Sequence, residues 1–145
     1  MISLTGEYAI LATVYLTRHS DECPLPARRI AEDLQIPRKY LSSVLHDLVR
    51  AGVLVASPGR SGGYQMQREP KNVRLQEVLA PFESMAAKRA IFPFGDIQCS
   101  DDNRCAVHKR WNCIDAAYRH FMEETSVYDV SIAKSASAEC VEGQQ

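Results

Sequence analysis

The sequence predicts a mainly α-helical protein with one small β-hairpin wing: a winged helix-turn-helix plus a long C-terminal dimerisation helix. Three observations support this prediction. Two short amphipathic segments follow each other closely, a turn-rich stretch separates two short apolar runs, and a longer segment near the C-terminus is heptad-like. Each pattern has the period of the element that it predicts.

The paired helices are predicted over 26–34 (PARRIAEDL) and 36–52 (IPRKYLSSVLHDLVRAG). The second segment repeats apolar residues at i, i+3, i+4 and i+7, which makes one stripe on a helix. Pro37 suits the first helical turn and Gly52 the position just past the end. The stripe consists of Leu41, Val44, Leu45 and Leu48, and the opposite face carries Arg38, Lys39, Ser42, Ser43, His46 and Arg50. Donors of this kind contact phosphates and base edges, so the pair predicts a helix-turn-helix.

A β-hairpin is predicted directly after the second helix. Val53–Val55 and Tyr64–Gln67 are short strand candidates, and the turn residues SPGRSGG between them place Arg60 at the tip. An ordinary helical hairpin with a surface loop is the alternative. The ordered set of two helices, a glycine and a basic hairpin favours DNA binding over that alternative.

Composition excludes several classes of protein. The 145 residues suffice for one domain, or one small domain plus an appendage, and 46% apolar residues suffice for a packed core. No apolar run approaches the roughly 20 residues that span a bilayer. The N-terminus lacks a basic region followed by an apolar one, so we expect a cytoplasmic protein without membrane partners. Cys105 and His108 lack a third, orienting group, so we do not expect an enzyme.

The near-neutral charge of −1 hides an asymmetry. Residues 26–74 carry nine Lys or Arg against four Asp or Glu, a net +5, which leaves −6 for the remainder. A basic module within an acidic chain is the electrostatic footprint that phosphate binding requires. A winged helix used only for protein contacts remains the other interpretation.

The flanking segments complete the predicted organisation. Helices are expected over Thr5–Arg18, with Thr5 as its cap, over Val73–Phe82 and over Val127–Ala133. The longest helix, Cys105–Glu124, has a heptad-like seam that favours burial in a dimer interface. The seam consists of Val107, Trp111, Ile114, Tyr118 and Phe121. We therefore expect a DNA-binding domain at 1–82, a cysteine-bearing sensor loop at 83–104, a dimerisation helix region at 105–133 and a flexible tail at 134–145.

Three of the five cysteines, Cys99, Cys105 and Cys113, follow a C-x5-C-x7-C pattern. Soft thiolates select zinc, copper(I) or iron–sulfur clusters, and the odd cysteine count argues against a disulfide framework. A fourth ligand is needed, for which His108, His120 and Glu7 are the candidates. Cys23 stands alone and is interpreted as an incidental thiol.

The combination of LTGEYAI, IPRKYLSSVLHDLVRAGVLVASPGRSGGY and three cysteines before a long helix resembles the Rrf-type bacterial regulators, the group of IscR and NsrR. The resemblance covers roughly residues 1–133. It implies a homodimeric winged-helix repressor or activator with an iron–sulfur cluster, 2Fe-2S or 4Fe-4S, whose state alters affinity for double-stranded operator DNA. In some such regulators an acidic residue of the partner's N-terminal helix completes the cluster, and Glu7 occupies the matching position.

The sequence departs from this group at three points. The second and third cysteines are separated by seven residues rather than five, Ala116 stands where IscR has a ligand histidine, and Pro58 replaces a wing arginine that many relatives carry. The preferred ligand set is therefore Cys99, Cys105, Cys113 and Glu7, with a zinc site or a thiol redox switch as the alternative. The predicted DNA contacts are Arg28, Arg38, Lys39 and Tyr40 on phosphates, Ser42, Ser43 and His46 on bases, and Arg60 with Ser61 in the wing.

Overall fold

The computed structural model describes residues 2–83 and 106–133. Its helices are α1 (Leu4–Arg18), α2 (Ala27–Leu34), α3 (Arg38–Arg50), α4 (Leu75–Leu79), α5 (Ala106–Glu124) and α6 (Val127–Ile132). Its strands are β1 (Leu54–Ser57) and β2 (Gly63–Met66), and single 3-10 turns lie at Ser20–Glu22 and Pro70–Asn72. This order confirms the predicted mainly α-helical fold with a hairpin wing. Most of the predicted sensor loop and all of the predicted tail lie outside the described residues.

The core lies between α1, α2 and α3, with α4 closing one side. The predicted stripe of α3 is its buried face, since Leu41, Leu45 and Leu48 are fully buried. Ile30 from α2 and Leu16 from α1 are buried against the same cluster. Burial of each such side chain stabilises the fold by about 1.5–3 kcal/mol. The three helices therefore form one packed core that supports the outer face of α3.

The N-cap of helix α1 lies two residues before the cap predicted from the sequence. Ser3, and not Thr5, is the N-cap, because its backbone is extended and its hydroxyl accepts a hydrogen bond from the Gly6 amide at 3.1 Å. The Thr5 prediction was wrong, since Thr5 is already helical. At Gly6 a Cβ would lie 2.9 Å from Leu79 Cδ2, so the glycine allows α4 to approach α1 closely.

The wing is an antiparallel hairpin in which Leu54 pairs with Met66 and Ser57 pairs with Gly63. A third segment joins it, because Leu25 and Tyr64 exchange backbone hydrogen bonds at 3.0 and 2.8 Å. A Cβ at Gly63 would lie 2.2 Å from the Leu25 carbonyl group, which only glycine avoids. The wing is thus fixed to the segment that enters α2.

Helix α4 is shorter than the predicted 73–82 segment. Val73 is extended, with φ −111° and ψ 113°, and its carbonyl accepts a hydrogen bond from the Val127 amide at 2.9 Å. Arg18, in the last turn of α1, donates to the carbonyls of Ser131 and Ala133 at the end of α6. The segment that ends in α6 is therefore joined to Val73 and to α1 by hydrogen bonds to backbone carbonyls. Local sequence periodicity does not encode these contacts.

Helix α5 divides the predicted seam between two faces. Trp111 and Tyr118 are half-buried, and Tyr118 packs against the core of its own chain. Val107, Ile114 and Phe121 point outward with 51%, 56% and 53% of their surface exposed. They are spaced seven residues apart, so they form one apolar line on the outer side of α5.

Candidate nucleic-acid interface and cysteine-bearing helix

The turn between α2 and α3 is set by three consecutive residues. Gln35 ends α2 in the left-handed region, with φ 55° and ψ 36°, and Ile36 is buried, with its amide bonded to the Ala31 carbonyl at 3.0 Å. Pro37 is the N-cap of α3, one position before the first-turn place predicted for it. The sharp reversal and the buried anchor confirm the helix-turn-helix geometry.

One line of polar side chains faces directly away from the buried stripe of α3. At about 100° per residue, Lys39, Ser43, His46 and Arg50 fall on this outward line, and all four are exposed. Ser42 lies at its edge and is half-buried. Arg50 was absent from the predicted contacts, although its spacing already placed it on this face. Its guanidinium lies 3.9 Å from Asp47 on the same helix, a weak and exposed ion pair.

The N-terminus of α3 is built to attract anions. Its first turn holds no acidic residue, and Pro37 provides no side-chain cap. Arg38, Lys39 and Tyr40 are exposed there. Cations oppose the helix dipole at this end, which costs helix stability, whereas a phosphate complements both the dipole and the cations. The sequence thus gives up helix stability at a point where a bound anion would restore it.

Arg28 and Arg38 line one shallow cleft of about 480 Å³ between α2 and α3. Arg28 forms an exposed ion pair with Glu32 at 2.8 Å, and the hydrogen bond to that carboxylate raises the pKa of the guanidinium. The neighbouring Arg29 lies outside this cleft and pairs with two carboxylates: it bonds to Glu22 at 2.5 Å and lies 3.8 Å from Asp33. Of the two adjacent arginines, Arg28 is the one that shares a cleft with the start of α3.

The tip of the wing presents Arg60 and Ser61 to solvent. Gly59 adopts φ +98° in open space, and a Cβ at Gly62 would lie 2.1 Å from the Ser57 carbonyl oxygen. The two glycines on either side of the tip allow a turn tight enough to carry Arg60 outward. The hairpin tip is therefore an exposed basic turn.

The predicted metal ligands lie only partly within the described residues. Glu7 is exposed in the first turn of α1 and Cys113 is exposed on α5. Cys99 and Cys105 are outside the described ranges. Within 2–83 and 106–133, no three Cys, His, Asp or Glu side chains converge on a point where a metal ion would fit.

Cys23 has a separate environment. Its thiol donates to the Leu16 carbonyl at 3.6 Å, and burial, together with the nearby Glu22, raises its pKa. A neutral, hydrogen-bonded thiol is a poor metal ligand and a poor nucleophile. Its role as an incidental thiol stays a prediction.

The fold and the basic, donor-rich face of α3 and the wing define a winged-helix DNA-binding protein. More particularly, the chain belongs to the Rrf2 family of iron-dependent transcriptional regulators, whose sequence profile matches residues 2–132. The predicted resemblance and the predicted absence of enzymatic function are thereby confirmed. In the described part of the chain, no helix has the length and apolarity that crossing a membrane requires.

Individual relatives agree with this assignment. An HTH-type transcriptional regulator of Aquifex aeolicus is 29% identical over 132 residues, which is 90% of each chain. IscR of Vibrio atlanticus is 27% identical over 123 residues, or 84% of this chain and 69% of that one. The solved structure of CymR, the global cysteine regulator of B. subtilis, has a TM-score of 0.74 at 22% identity and covers 90% of this chain and 95% of that chain. At that identity the likeness to CymR shows the fold alone.

Proposed function

We propose that the protein is a homodimeric transcriptional regulator whose affinity for a DNA operator is controlled by an iron–sulfur cluster at Cys99, Cys105, Cys113 and Glu7. The observation that carries the proposal is the C-x5-C-x7-C stretch in a chain of an iron-dependent regulator family. In this proposal residues 1–82 read DNA, 83–104 carry the sensor loop and 105–133 dimerise. Redox state, nitric oxide and iron or cluster supply are the signals that such a site would sense.

The described ligands fit this group chemically. Thiolates are the ligands that iron–sulfur clusters select, and the Cys113 thiol is exposed rather than enclosed in the core. The Glu7 carboxylate is exposed on α1, where a second subunit can reach it. When bound, a cluster supplies a centre that reacts with oxidants or nitric oxide. Cys113 and the outward apolar line share α5, so a ligand and the proposed dimer contact lie on one helix.

The homodimer is proposed to form through the outward line of α5. Val107, Ile114 and Phe121 each expose more than half of their surface. Three large apolar side chains in register along one helix are costly to leave in water and match a second copy of themselves across a two-fold axis. A dimer of this kind would place two α3 helices in major grooves about 34–36 Å apart, or at a multiple of that distance.

The cluster is tested by anaerobic purification, an absorbance spectrum and analysis of iron, sulfide and zinc. We expect a brown protein with iron and sulfide, loss of colour in Cys113→Ser, and an altered spectrum in Glu7→Ala. Cys23→Ser is the matched control, because Cys23 bonds within its own chain, and it should keep the wild-type iron content. A brown protein indifferent to Glu7→Ala would remove Glu7 from the ligand set.

The alternative is a zinc site or a thiol redox switch at the same cysteines. It is favoured by the exposed Cys113 thiol, which is open to oxidants and metal ions. A colourless protein that contains zinc, or that changes DNA affinity on oxidation and recovers with a reductant, would select this alternative. Both versions retain the DNA-binding face, so only the chemistry of the cysteines is at issue.

A further inference from the structure

The junction of α5 and α6 is hydrogen-bonded to the segment that begins α4. Leu75 donates its amide to the Thr125 carbonyl at 3.0 Å, and Val127 donates to the Val73 carbonyl at 2.9 Å. These two bonds make Arg74 and Ser126 an antiparallel bridge, although 51 positions separate them in the chain. Val73 and Val127 are fully buried beside it. The C-terminal end of α5 is thus fixed to the DNA-binding half.

Arg74 extends this junction to α5 itself. Its guanidinium Nη1 donates to the carbonyl of Glu124, the last residue of α5, at 2.8 Å. That carbonyl is one of the four that a helix end leaves without an internal partner, and a cation there complements the negative end of the dipole. The same residue donates its backbone amide to Glu77 Oε1 at 3.0 Å. Arg74 therefore joins the end of α5 to the first turn of α4.

Glu77 continues the connection to the wing. Its Oε2 bonds to Arg68 Nη2 at 2.5 Å, and Arg68 follows the last residue of β2 by two positions. Partial burial raises the pKa of Glu77, but the Arg68 guanidinium and the Arg74 amide outweigh this effect and the net pKa is lowered. Glu77 is therefore ionised and paired at neutral pH. We call Arg68, Glu77, Arg74 and the Glu124 carbonyl the clasp.

We propose that the clasp is the connection through which a displacement of α5 reaches the wing, with Arg74 as its positioning residue. This inference rests on the proposed function, in which α5 is the regulated helix. The exposed α5 line and Cys113 lie at one end of the connection, and β2 with the wing tip lies at the other. Arg74 bonds to the end of α5, its amide bonds to Glu77 within the first turn of α4, and Glu77 pairs with Arg68 after β2. A rotation or shift of α5 therefore pulls on α4 and the end of β2 together.

Linkage makes the inference testable without a cluster. If the position of α5 alters DNA affinity, then DNA binding must alter α5 by the same coupling free energy. The chain has a single tryptophan, Trp111, and it lies half-buried on α5. Its emission therefore reports on α5 while DNA occupies α3 and the wing.

The experiment titrates cluster-free, reduced protein with a labelled duplex selected from random sequences for binding to the wild type. Anisotropy of the duplex reports binding, and Trp111 emission reports α5 in the same samples. The test variants are Arg74→Ala, Arg74→Lys and Arg68→Ala. Arg119→Ala is the matched control, because Arg119 pairs with Asp115 at 3.0 Å within α5 alone. Thermal unfolding of each free protein identifies variants that fail to fold.

We expect a change in Trp111 emission on saturation in the wild type and in Arg119→Ala. In Arg74→Ala and Arg68→Ala we expect binding to persist while the emission change falls by about half or more, the size that coupling through one contact network allows. Arg74→Lys should restore part of the emission change, since an ammonium can still reach the Glu124 carbonyl.

If Arg74→Ala does not fold, the emission change of Arg68→Ala alone tests the clasp. A wild-type protein that binds the duplex without a change at Trp111, or folded variants with the full change, would overturn the clasp. If only the cluster-loaded form binds the duplex, the same titration is made with that form. A protein that binds no duplex in either form, or one that holds no iron in the separate metal analysis, would instead count against the function itself.

Discussion

Lys39→Glu should raise the stability of the free protein and lower its affinity for DNA. Lys39 occupies the second position of α3, where the first turn contains only cations and an exposed tyrosine. Removing a cation and adding an anion at an exposed helix N-terminus gains about 0.3–1 kcal/mol for each of the two changes. Because Lys39 is exposed to water, the lower half of that range applies, and Tm should rise by about 2–4 °C.

The effect on DNA has the opposite sign. A carboxylate replaces a donor where a phosphate is expected, so the operator affinity should fall by about tenfold or more, which corresponds to 1.4 kcal/mol or more. Loss of one phosphate contact should also reduce the slope of log K against log salt by about one per protomer. Both quantities come from fluorescence anisotropy of a labelled duplex at several salt concentrations.

Lys71→Glu is the matched control for the change of net charge. Lys71 lies over the Tyr128 ring, 4.7 Å from its centroid, on the 3-10 turn after the wing. We expect its salt slope to equal that of the wild type. A lower Tm for Lys39→Glu would refute the helix-dipole argument, and an unchanged slope would remove the start of α3 from the DNA interface.

Four further outcomes follow from the described contacts. Arg60→Ala should leave Tm within about 1–2 °C of the wild type, since the tip is exposed, and should lower the salt slope by about one per protomer if Arg60 contacts phosphate; an unchanged slope excludes that contact. Gly63→Ala should destabilise the protein by about 2–4 kcal/mol in urea unfolding, because its Cβ would collide with the Leu25 carbonyl group; a neutral result would mean that Leu25 does not pair with the wing in solution. Ile114→Glu should give a monomer in sedimentation analysis, whereas a persistent dimer would place the interface elsewhere. Ser126→Ala should lower Tm at pH 7, and the deficit should shrink as the pH falls below about 4, because hydrogen bonds from Ser126 lower the pKa of Asp129 and their stabilisation is lost when that carboxylate is protonated.

Most of the DNA-binding half was predictable from local patterns. The stripes of α2 and α3 are amphipathic at a helical period, and the wing has turn residues between two apolar runs, so element type follows from neighbours in the sequence. The caps of α1 and α3 were misplaced by one or two residues, and the larger errors arose where a distant contact decided the boundary. Val73 pairs with Val127, which shortens α4, and Leu25 pairs with Tyr64, which adds a third segment to the wing. Neither pairing leaves a periodic signal in the residues that make it.

Spacing along the sequence predicted the exposure of the DNA-contact candidates, but it could not predict whether the cluster ligands converge. Exposure is a local property of an amphipathic helix, so the outward placement of Lys39, Ser43 and His46 followed from spacing alone. A metal site requires residues from separate segments to converge, and spacing fixes only those that share an element. Cys113 and Glu7 are placed on α5 and α1, and their convergence with Cys99 and Cys105 remains part of the proposal.

The heptad-like apolar pattern of α5 contains two lines of side chains with different surroundings. Val107, Ile114 and Phe121 form one heptad line, and Trp111 with Tyr118 forms another about 40° around the helix. Read together, the five residues predict a single seam, but Tyr118 packs against the core of its own chain and Trp111 is half-buried, whereas the first line is exposed. A helix that packs on its own domain and on a second copy must carry two adjacent apolar lines, whereas a helix in a free coiled coil needs only one seam. The proposed dimer contact is therefore the narrower outward line, and α5 joins that contact to the core and, through Glu124 and Arg74, to the wing.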